Sequence, residues 1–427
     1  MNKNVVVVGG GIAGLATAIY LARGGRTVTV FEQRRHLGGR AVTHLRHGFR
    51  FNLGPHAFYR QGPAASVLRE LGIPIRGGSP TGSGLALEGE HRHRFPVNLF
   101  SLLLTGLLPF KGKLEAAKYL LTLKRIKRFP DPAMSFRTWL DGKVSSPEVR
   151  GLLLAVARLA SYSEKPEELS AAAALAQIRL ALRGVVYIDE GWQKMVDALH
   201  SAAVSSNVNF VTSSRVVSID HEGGRVRALG LGGLDIEVDS QNTLNVAIPK
   251  PFEPEDGTRI PASQIVLAVD PLSARAMLND APFVPEDLTP VTLATLDVAL
   301  SRLPNPKVTF AVGIDKPLYF SVHSQWAQLT PKGGALIHVA RYGSGKASEL
   351  EALLDEFQPG WRNVLVHRRF LPSMIVTNAA SLPSLVRPPA HTPIEGLYLA
   401  GDWVGDEGML SDAALASARA VAKQILA

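Results

Sequence analysis

The chain has 427 residues, of which 46% are hydrophobic and 19% charged, a composition typical of a globular protein with two domains. It contains no cysteine, which excludes disulfides, thiolate metal sites, cysteine nucleophiles and thioether links to a cofactor. The sequence begins with a strand pattern and has no uncharged apolar run of the ~18–20 residues that span a bilayer, so we expect no signal peptide and a cytoplasmic location.

The first predicted element is a strand that runs into a glycine-rich turn. The β-branched run Val5–Val8 predicts a buried parallel strand, and Gly9-x-Gly11-x-x-Gly14 follows it directly. A helix pattern and a second strand complete the unit by residue 31. This order is the dinucleotide-binding fingerprint. Gly9 permits the tight turn, Gly11 lets a pyrophosphate approach the backbone, and Gly14 lets the helix pack on the strand.

The ligand contacts of this unit follow from its geometry. The helix N-terminus offers the N–H groups of Ile12 and Ala13, and its positive dipole end, to the pyrophosphate. Glu32 ends the second strand and can accept hydrogen bonds from the adenosine ribose hydroxyls. Gln33 follows it and is included in the predicted site.

A basic and apolar segment covers residues 91–128. It contains nine Lys or Arg and one acidic residue, Glu115, which amounts to +8 of the net charge of +9. The same segment contains the apolar stretch Phe95–Phe110. This pattern favours a segment that lies in a membrane interface. A buried helix with a solvated basic face is the alternative, and nucleic acid ranks last because no recognition motif accompanies the charge.

The rest of the chain leaves and re-enters the nucleotide-binding unit. Residues 85–184 read as mostly helical, strands alternate with turns over 292–345, and a strand ending near Asp402 precedes a last helix from about Ser411. The glycine cluster 230–233 lacks a strand–helix context, so we predict no second dinucleotide site. The sequence predicts an α/β fold with a discontinuous Rossmann-type domain (residues 1–80, 185–290 and 390–427) and an inserted α+β substrate domain (81–184 and 291–389).

Several blocks resemble the FAD-dependent oxidoreductases that include flavin amine oxidases, protoporphyrinogen oxidases and phytoene desaturases. They are VVVVGGGIAGL with VTVFE, GGR at 38–40, FRFNLGPHAF at 49–58, GWQKMVDAL at 191–199 and LYLAGDW at 397–403. The block at 49–58 is similar to the phytoene desaturase version. Two positions depart from the family pattern, since Asn52 stands where Asp is more common and Trp192 where a second Gly is usual.

The resemblance implies that FAD is the cofactor, and it is expected to be non-covalent because no Cys and no recognised His attachment motif is present. It also implies the remaining contacts: Gly39 and Arg40 at the phosphates or flavin edge, Gly54, Pro55, His56 and Ala57 close to the isoalloxazine ring, Val216 at adenine, Gly401 and Asp402 at the ribityl chain, and Leu410 and Ser411 at the flavin N1/C2=O edge. His56 is interpreted as a structural or ring-contacting residue, and no catalytic residue or metal site is identified.

These features predict hydride transfer from an apolar, isoprenoid- or polyene-like small molecule to flavin N5. Leu410 falls where amine oxidases of this fold carry an aromatic residue, which disfavours an amine substrate. An amine or porphyrinogen oxidase that produces hydrogen peroxide, a non-redox flavin-dependent isomerase and a flavin-binding protein without turnover remain alternatives. The predicted partners are the substrate and a peripheral membrane contact, without nucleic acid. The sequence makes no prediction of oligomeric state.

Overall fold

The computed structural model describes residues 4–80, 84–232 and 258–427. Residues 1–3, 81–83 and 233–257 of the predicted domain ranges, with Gly233 of the glycine cluster, lie outside the described residues. The strands are β1 (Asn4–Val8), β2 (Thr27–Phe31), β3 (Thr43–Arg46), β4 (Phe49–Asn52), β5 (Phe58–Tyr59), β6 (Gly77–Gly78), β7 (Leu85–Glu88), β8 (His91–Arg94), β9 (Val185–Ile188), β10 (Asn209–Val211), β11 (Val216–Glu222), β12 (Arg225–Leu231), β13 (Arg259–Pro261), β14 (Ile265–Leu267), β15 (Val291–Leu300), β16 (Phe310–Gly313), β17 (Leu318–Val322), β18 (Ala335–Tyr342), β19 (Leu365–Thr377) and β20 (Leu397–Leu399).

The described residues form eleven α-helices. They are α1 (Ile12–Arg23), α2 (Pro63–Glu70), α3 (Leu99–Leu104), α4 (Phe110–Leu123), α5 (Phe136–Lys143), α6 (Pro147–Ser161), α7 (Ala171–Leu182), α8 (Gln193–Ser205), α9 (Pro271–Met277), α10 (Ala347–Phe357) and α11 (Leu410–Leu426). Across the ranges that the structure describes, no helix is long and apolar enough to cross a bilayer.

A parallel sheet holds the N-terminal fingerprint. Its strand order is β10-β2-β1-β14-β20, so strands from three separate parts of the chain lie side by side. Val5–Val8 of β1 are all buried, as expected for a strand that is covered on both faces. Helix α1 packs against both α8 and α11. The buried parallel strand predicted from the β-branched run is confirmed.

A second, largely antiparallel sheet has the order β19-β15-β18-β17-β16-β7-β8. Helices α4, α5, α6 and α7 form one hydrophobic core with strands of this sheet, while α10 packs against β15 and β18. The two sheets give the α/β fold with a Rossmann-type part and a separate α+β part that the sequence predicts.

Some boundaries differ from the sequence expectations by a few residues. The amphipathic helix expected from Gly191 begins at Gln193, because Gly191 has a φ of +82° and turns the chain before the helix. The strand expected over 265–269 ends at Leu267, and the strand expected over 216–219 continues to Glu222. The last helix begins at Leu410, beside the predicted Ser411.

Candidate functional site

The glycine turn between β1 and α1 leaves an open space at the helix N-terminus. Gly9 has a φ of +106°, which a residue with a side chain rarely adopts. A Cβ placed on Gly14 would overlap the Gly9 carbonyl, so the helix is packed tightly on the turn. Gly11 is different, because its φ of −73° is ordinary and no protein atom lies within 4 Å of a Cβ built there. The space above Gly11 can therefore admit a ligand, and the first-turn amides of α1, including those of Ile12 and Ala13, have no intrahelical acceptor.

Glu32 closes one side of this space. Its carboxylate is buried and accepts hydrogen bonds from the Gly10 amide at 2.8 Å and from the Arg34 amide at 2.9 Å. Gln33 is exposed next to it. The Ser214 amide donates to the Glu32 carbonyl at 3.0 Å, which brings the start of β11 to this edge. The structure thus brings the glycine turn, Glu32 and the segment that begins with the buried Val216 together.

The 38–40 segment lies directly against the glycine turn. The Gly38 amide donates to the Gly10 carbonyl at 2.9 Å, and a Cβ on Gly39 would lie 3.6 Å from the Gly11 Cα. Gly39 begins the 3-10 turn Gly39–Ala41, which carries Arg40. A side chain at 39 would therefore reach into the space above the turn, whereas a Cβ at 38 would press on Val196 and Val42.

Arg40 and Asp402, which the sequence assigns to different parts of the site, form a bidentate ion pair. The Arg40 guanidinium lies 2.8 and 2.9 Å from the two Asp402 oxygens. Asn378 donates to the same carboxylate through its backbone amide at 3.0 Å and its side-chain amide at 2.9 Å. Burial alone would raise the pKa of Asp402, but Arg40 and Asn378 hold it at about 2. Asp402 fixes the orientation of Arg40, and its bond to a ribityl chain stays a prediction.

The C-terminal part of the predicted site surrounds the start of α11. Gly401 has a φ of +154°, and the Ser417 hydroxyl bridges its amide at 2.9 Å and its carbonyl at 3.0 Å. Leu410 begins the helix with a φ of +58°, an unusual conformation for a leucine, and Ser411 follows in the first turn. The helix N-terminus has no side-chain cap, and the Asp412 and Ala413 amides donate to the Met409 carbonyl, which leaves the amides of Leu410 and Ser411 for an acceptor.

The segment 54–57 lies against the large sheet, since a Cβ on Gly54 would meet Met374 of β19 and Thr295 of β15. A Cβ on Gly54 would lie 2.8 Å from the Met374 sulfur, and its φ of +75° also favours glycine. His56 Nδ1 is 3.1 Å from the Gly54 carbonyl, and its ring lies edge-on to Trp192. Burial lowers the pKa of His56 to about 4, so the imidazole is neutral at physiological pH and a weak base. This agrees with the interpretation of His56 as a structural or ring-contacting residue.

A cavity of about 320 Å³ opens on Pro55 and Ala57. Its other walls come from α4, α6 and α7 and from the large sheet, and carbon side chains such as Leu153 and Leu293 dominate the lining. The hydroxyl groups of several lining tyrosines point into the walls. Tyr162, for example, donates to the Pro55 carbonyl at 2.9 Å. The cavity therefore fits a mainly apolar molecule.

A polar row that no sequence motif predicts crosses the large sheet behind this segment. Ser321, His338, Asp297 and Arg369 lie directly opposite one another on β17, β18, β15 and β19. His338 Nδ1 is 2.6 Å from Asp297, Arg369 is 2.5 Å from it, and Arg369 also donates to the Asn52 carbonyl. The available signal was a polar residue flanked by apolar ones, as Asp297 is in β15 and His338 is in β18.

These features define an α/β oxidoreductase fold with a Rossmann-type sheet and a separate substrate-binding part. The chain belongs to the flavin containing amine oxidoreductase family, whose model matches residues 12–292. It is an oxidoreductase, and membership implies a flavin cofactor.

The chain is similar to one curated relative over a short stretch of sequence and to two solved structures over the whole fold. A 4,4'-diaponeurosporene oxygenase from Staphylococcus aureus is 44% identical over 55 residues, which cover 13% of this chain and 11% of the relative, so the chain matches about a tenth of that relative's length. Two solved structures share the fold. An oxidoreductase from Methanosarcina mazei has a TM-score of 0.74 at 18% identity, over 98% of this chain and 100% of its own. A candidate protoporphyrinogen oxidase from an Exiguobacterium species has a TM-score of 0.71 at 18% identity, over 100% and 99%.

Proposed function

We propose that the protein is an FAD-dependent oxidoreductase that removes a hydride from an apolar, isoprenoid- or polyene-like substrate. The observation that carries this proposal is the apolar cavity of about 320 Å³ that opens on Pro55 and Ala57. An apolar substrate gains about 25 cal/mol for each Å² that it buries, and a cavity lined mainly by carbon atoms offers few groups to recognise a charged amine.

The residues at the glycine turn fit FAD. The open space above Gly11 and the free amides of α1 suit a pyrophosphate, Glu32 suits the ribose hydroxyls, and Arg40 adds a cation beside them. Bound flavin supplies a hydride acceptor, its N5 atom. The chain contains no cysteine, so we propose that the cofactor is non-covalent and leaves the protein on denaturation.

We also propose the two domains that the sequence predicts, an FAD domain and a substrate domain. The cavity walls come from helices of 81–184 and strands of 291–389, which we assign to the substrate domain. Pro55 and Ala57 belong to the range that we assign to the FAD domain (residues 1–80, 185–290 and 390–427). The cavity would then bring the substrate to the boundary at which the two parts meet, where a hydride can pass directly.

We also propose that substrate enters from a membrane surface. One face of α4 lines the cavity through Tyr119 and Leu123. The opposite face and α3 expose apolar side chains, among them Phe100 (68% exposed), Leu103 (70%) and Phe110 (76%). Exposed basic residues lie on α4 and directly after it, and within the described ranges they have no carboxylate partner: Lys111, Lys118, Lys124, Arg125, Lys127 and Arg128. This combination suits an anionic lipid surface better than the alternative of a buried helix with a solvated basic face.

Anaerobic flavin reduction tests the proposed function. The flavin-bound protein is mixed with a detergent-dispersed acyclic polyene hydrocarbon or with a primary alkylamine, and loss of the visible flavin absorbance is followed. We expect the polyene to reduce the flavin and the amine to leave it oxidised. Reduction by the amine alone would favour the amine oxidase alternative. Reduction by neither compound would contradict the proposed activity and favour a non-redox role.

A further inference from the structure

Basic side chains are concentrated at one end of the apolar cavity. At this end the lining residues Ser79, Leu182 and Gly184 are half-buried, so the cavity wall reaches the protein surface, and we call these three residues the mouth. Four cationic residues lie on the segments that form the mouth or in contact with them, and they come from three separate parts of the chain. They are Arg60, Lys124, Arg179 and Arg183.

Arg60 is bound to two of the mouth residues. Two guanidinium N–H groups of Arg60 donate to the Ser79 hydroxyl at 3.1 and 2.8 Å. The Arg60 amide donates to the Gly184 carbonyl at 3.1 Å, and a Cβ built on Gly184 would lie 3.6 Å from the Arg60 Cδ. The Arg60 side chain therefore passes beside Gly184 and places its charge against Ser79, at the edge of the cavity.

The other three cations lie where helices α4 and α7 end. Arg183 stands between the mouth residues Leu182 and Gly184, and its Nε donates to the Lys124 carbonyl at 3.1 Å. Arg179, one helical turn earlier, donates to the Ile126 carbonyl at 3.1 Å. Lys124 itself is exposed at the end of α4. These contacts hold the ends of the two helices together and bring three positive charges to the same side of the mouth.

The charge of these four residues is not neutralised by the described part of the protein. None of them has a carboxylate partner there, and residues 116–130 and 169–188 contain no Asp or Glu. The carbonyl end of a helix carries about half a negative elementary charge, so the ends of α4 and α7 offset about one of the four positive charges. Burial and the neighbouring Arg183 lower the pKa of Arg179, as expected for cations that repel each other. The mouth therefore favours an anion.

We propose that the substrate is a polyene-like chain with an anionic end group, a carboxylate or a phosphate, which stays at the mouth while the chain fills the apolar cavity. The proposal rests on the proposed function, because it names the class of molecule that this cavity receives. Guanidinium groups bind carboxylates and phosphates through paired hydrogen bonds, so Arg60 and Arg183 are the residues that select the end group. A fixed end group also sets how far the chain enters, and therefore which carbon reaches Pro55 and Ala57.

A pair of fluorescent probes tests the proposal without any turnover. The full-length, flavin-bound protein is titrated with a conjugated tetraene fatty acid, whose fluorescence increases in apolar surroundings, at a pH at which the acid is ionised. The methyl ester of the same acid is the neutral counterpart. We expect the acid to bind at least about tenfold more tightly than the ester, and the difference to shrink at high salt. Equal affinities of the wild type for acid and ester would overturn the proposal.

Variants of the cations assign the effect to the mouth. We expect Arg60→Gln with Arg183→Gln to weaken binding of the acid by about tenfold or more and to leave binding of the ester unchanged, which also shows that the cavity is intact. Lys124→Gln should weaken binding of the acid by about threefold, since an exposed charge is screened by solvent. Arg302→Gln is the control, because Arg302 is exposed in the loop after β15. Unchanged binding of the acid by the double variant, or equal losses for acid and ester, would overturn the proposal.

Two further measurements separate this proposal from its neighbours. A double variant that loses binding to phosphatidylserine vesicles but keeps the difference between acid and ester would overturn the proposal and assign Arg60 and Arg183 to lipid headgroups. Flavin reduction by the polyene hydrocarbon of the previous section tests the proposed function separately. If the hydrocarbon and the fatty acid both fail to reduce the flavin, hydride transfer is contradicted, and the difference between acid and ester still decides whether the mouth holds an anion.

Discussion

Asp297 and Arg369 lie directly opposite each other on the antiparallel strands β15 and β19, and Arg369 continues from this pair to the Asn52 carbonyl at the end of β4. Asp297 is fully buried, and Thr295 donates a further hydrogen bond to it at 2.9 Å. The ion pair and this hydrogen bond therefore connect β15 and β19 of the large sheet with β4, the strand that precedes Gly54. The position of the segment 54–57 depends on a charge pair that is shielded from solvent.

Loss of Arg369 should destabilise the protein far more than loss of its neighbour. Arg369→Met leaves the Asp297 carboxylate buried without its arginine partner, and breaking a buried pair in this way costs about 3–5 kcal/mol. Arg368→Met is the control, because Arg368 is half-exposed and pairs with Glu351 at the surface, where such a pair contributes at most about 1 kcal/mol. Urea unfolding of both variants measures the difference. Equal losses would show that the Asp297–Arg369 pair contributes little to stability.

Asp412 should give the stability of the protein an unusual dependence on pH. It is buried at the start of α11 and accepts a hydrogen bond from the Ala64 amide at 2.8 Å. Burial raises its pKa to about 7. Between its unfolded pKa of about 3.9 and pH 7, the folded state keeps a proton that the unfolded state has lost. The free energy of unfolding therefore decreases as the pH rises through this window.

The variant Asp412→Asn tests this assignment. We expect it to melt at a higher temperature than the wild type at pH 8 and at a similar temperature at pH 5, because the variant cannot ionise. Asp406→Asn, an exposed carboxylate nearby, should leave the pH dependence of the melting temperature unchanged. The same pH dependence in wild type and Asp412→Asn would contradict the raised pKa.

The fold could be predicted from the sequence where strands that pair in the sheet are also consecutive in the chain. β1, the glycine turn, α1 and β2 are consecutive, so their order alone predicts a parallel sheet with a nucleotide site. The polar row is different, because Asp297, Ser321, His338 and Arg369 come from four strands and meet only through the register of the sheet. No spacing in the sequence shows that register.

The Arg40–Asp402 pair illustrates the same limit within the predicted site. The resemblance assigns each residue a separate contact with the cofactor, at positions 362 residues apart in the chain. Their direct contact, and the two hydrogen bonds from Asn378, depend on how the segment after β19 passes beside β20. A sequence motif predicts which residues contact the cofactor but not the neighbours that hold them in place.

The exposed apolar side chains of α3 and α4 should bind anionic membranes. We expect the wild type to co-sediment with vesicles of phosphatidylserine and phosphatidylcholine at low salt and to be released by high salt. The triple variant Phe100→Ser, Leu103→Ser, Phe110→Ser should bind at least about tenfold more weakly, because it loses the apolar face. Leu272→Ser with Val386→Ser is the control, since these side chains are equally exposed elsewhere. Absence of wild-type binding, or equal binding by the triple variant, would argue against a membrane surface.

The flavin content of a Gly11→Ala variant shows whether the glycine turn holds the dinucleotide. A methyl group at Gly11 meets no protein atom within 4 Å and needs no unusual backbone angle, so the stability of the cofactor-free protein should not change. The methyl group would occupy the space of the pyrophosphate, and we expect the affinity for FAD to fall by about tenfold or more. Gly142→Ala, another glycine with open space around it, should retain full flavin. A Gly11→Ala protein that folds and binds FAD like the wild type would contradict the placement of the dinucleotide at the glycine turn.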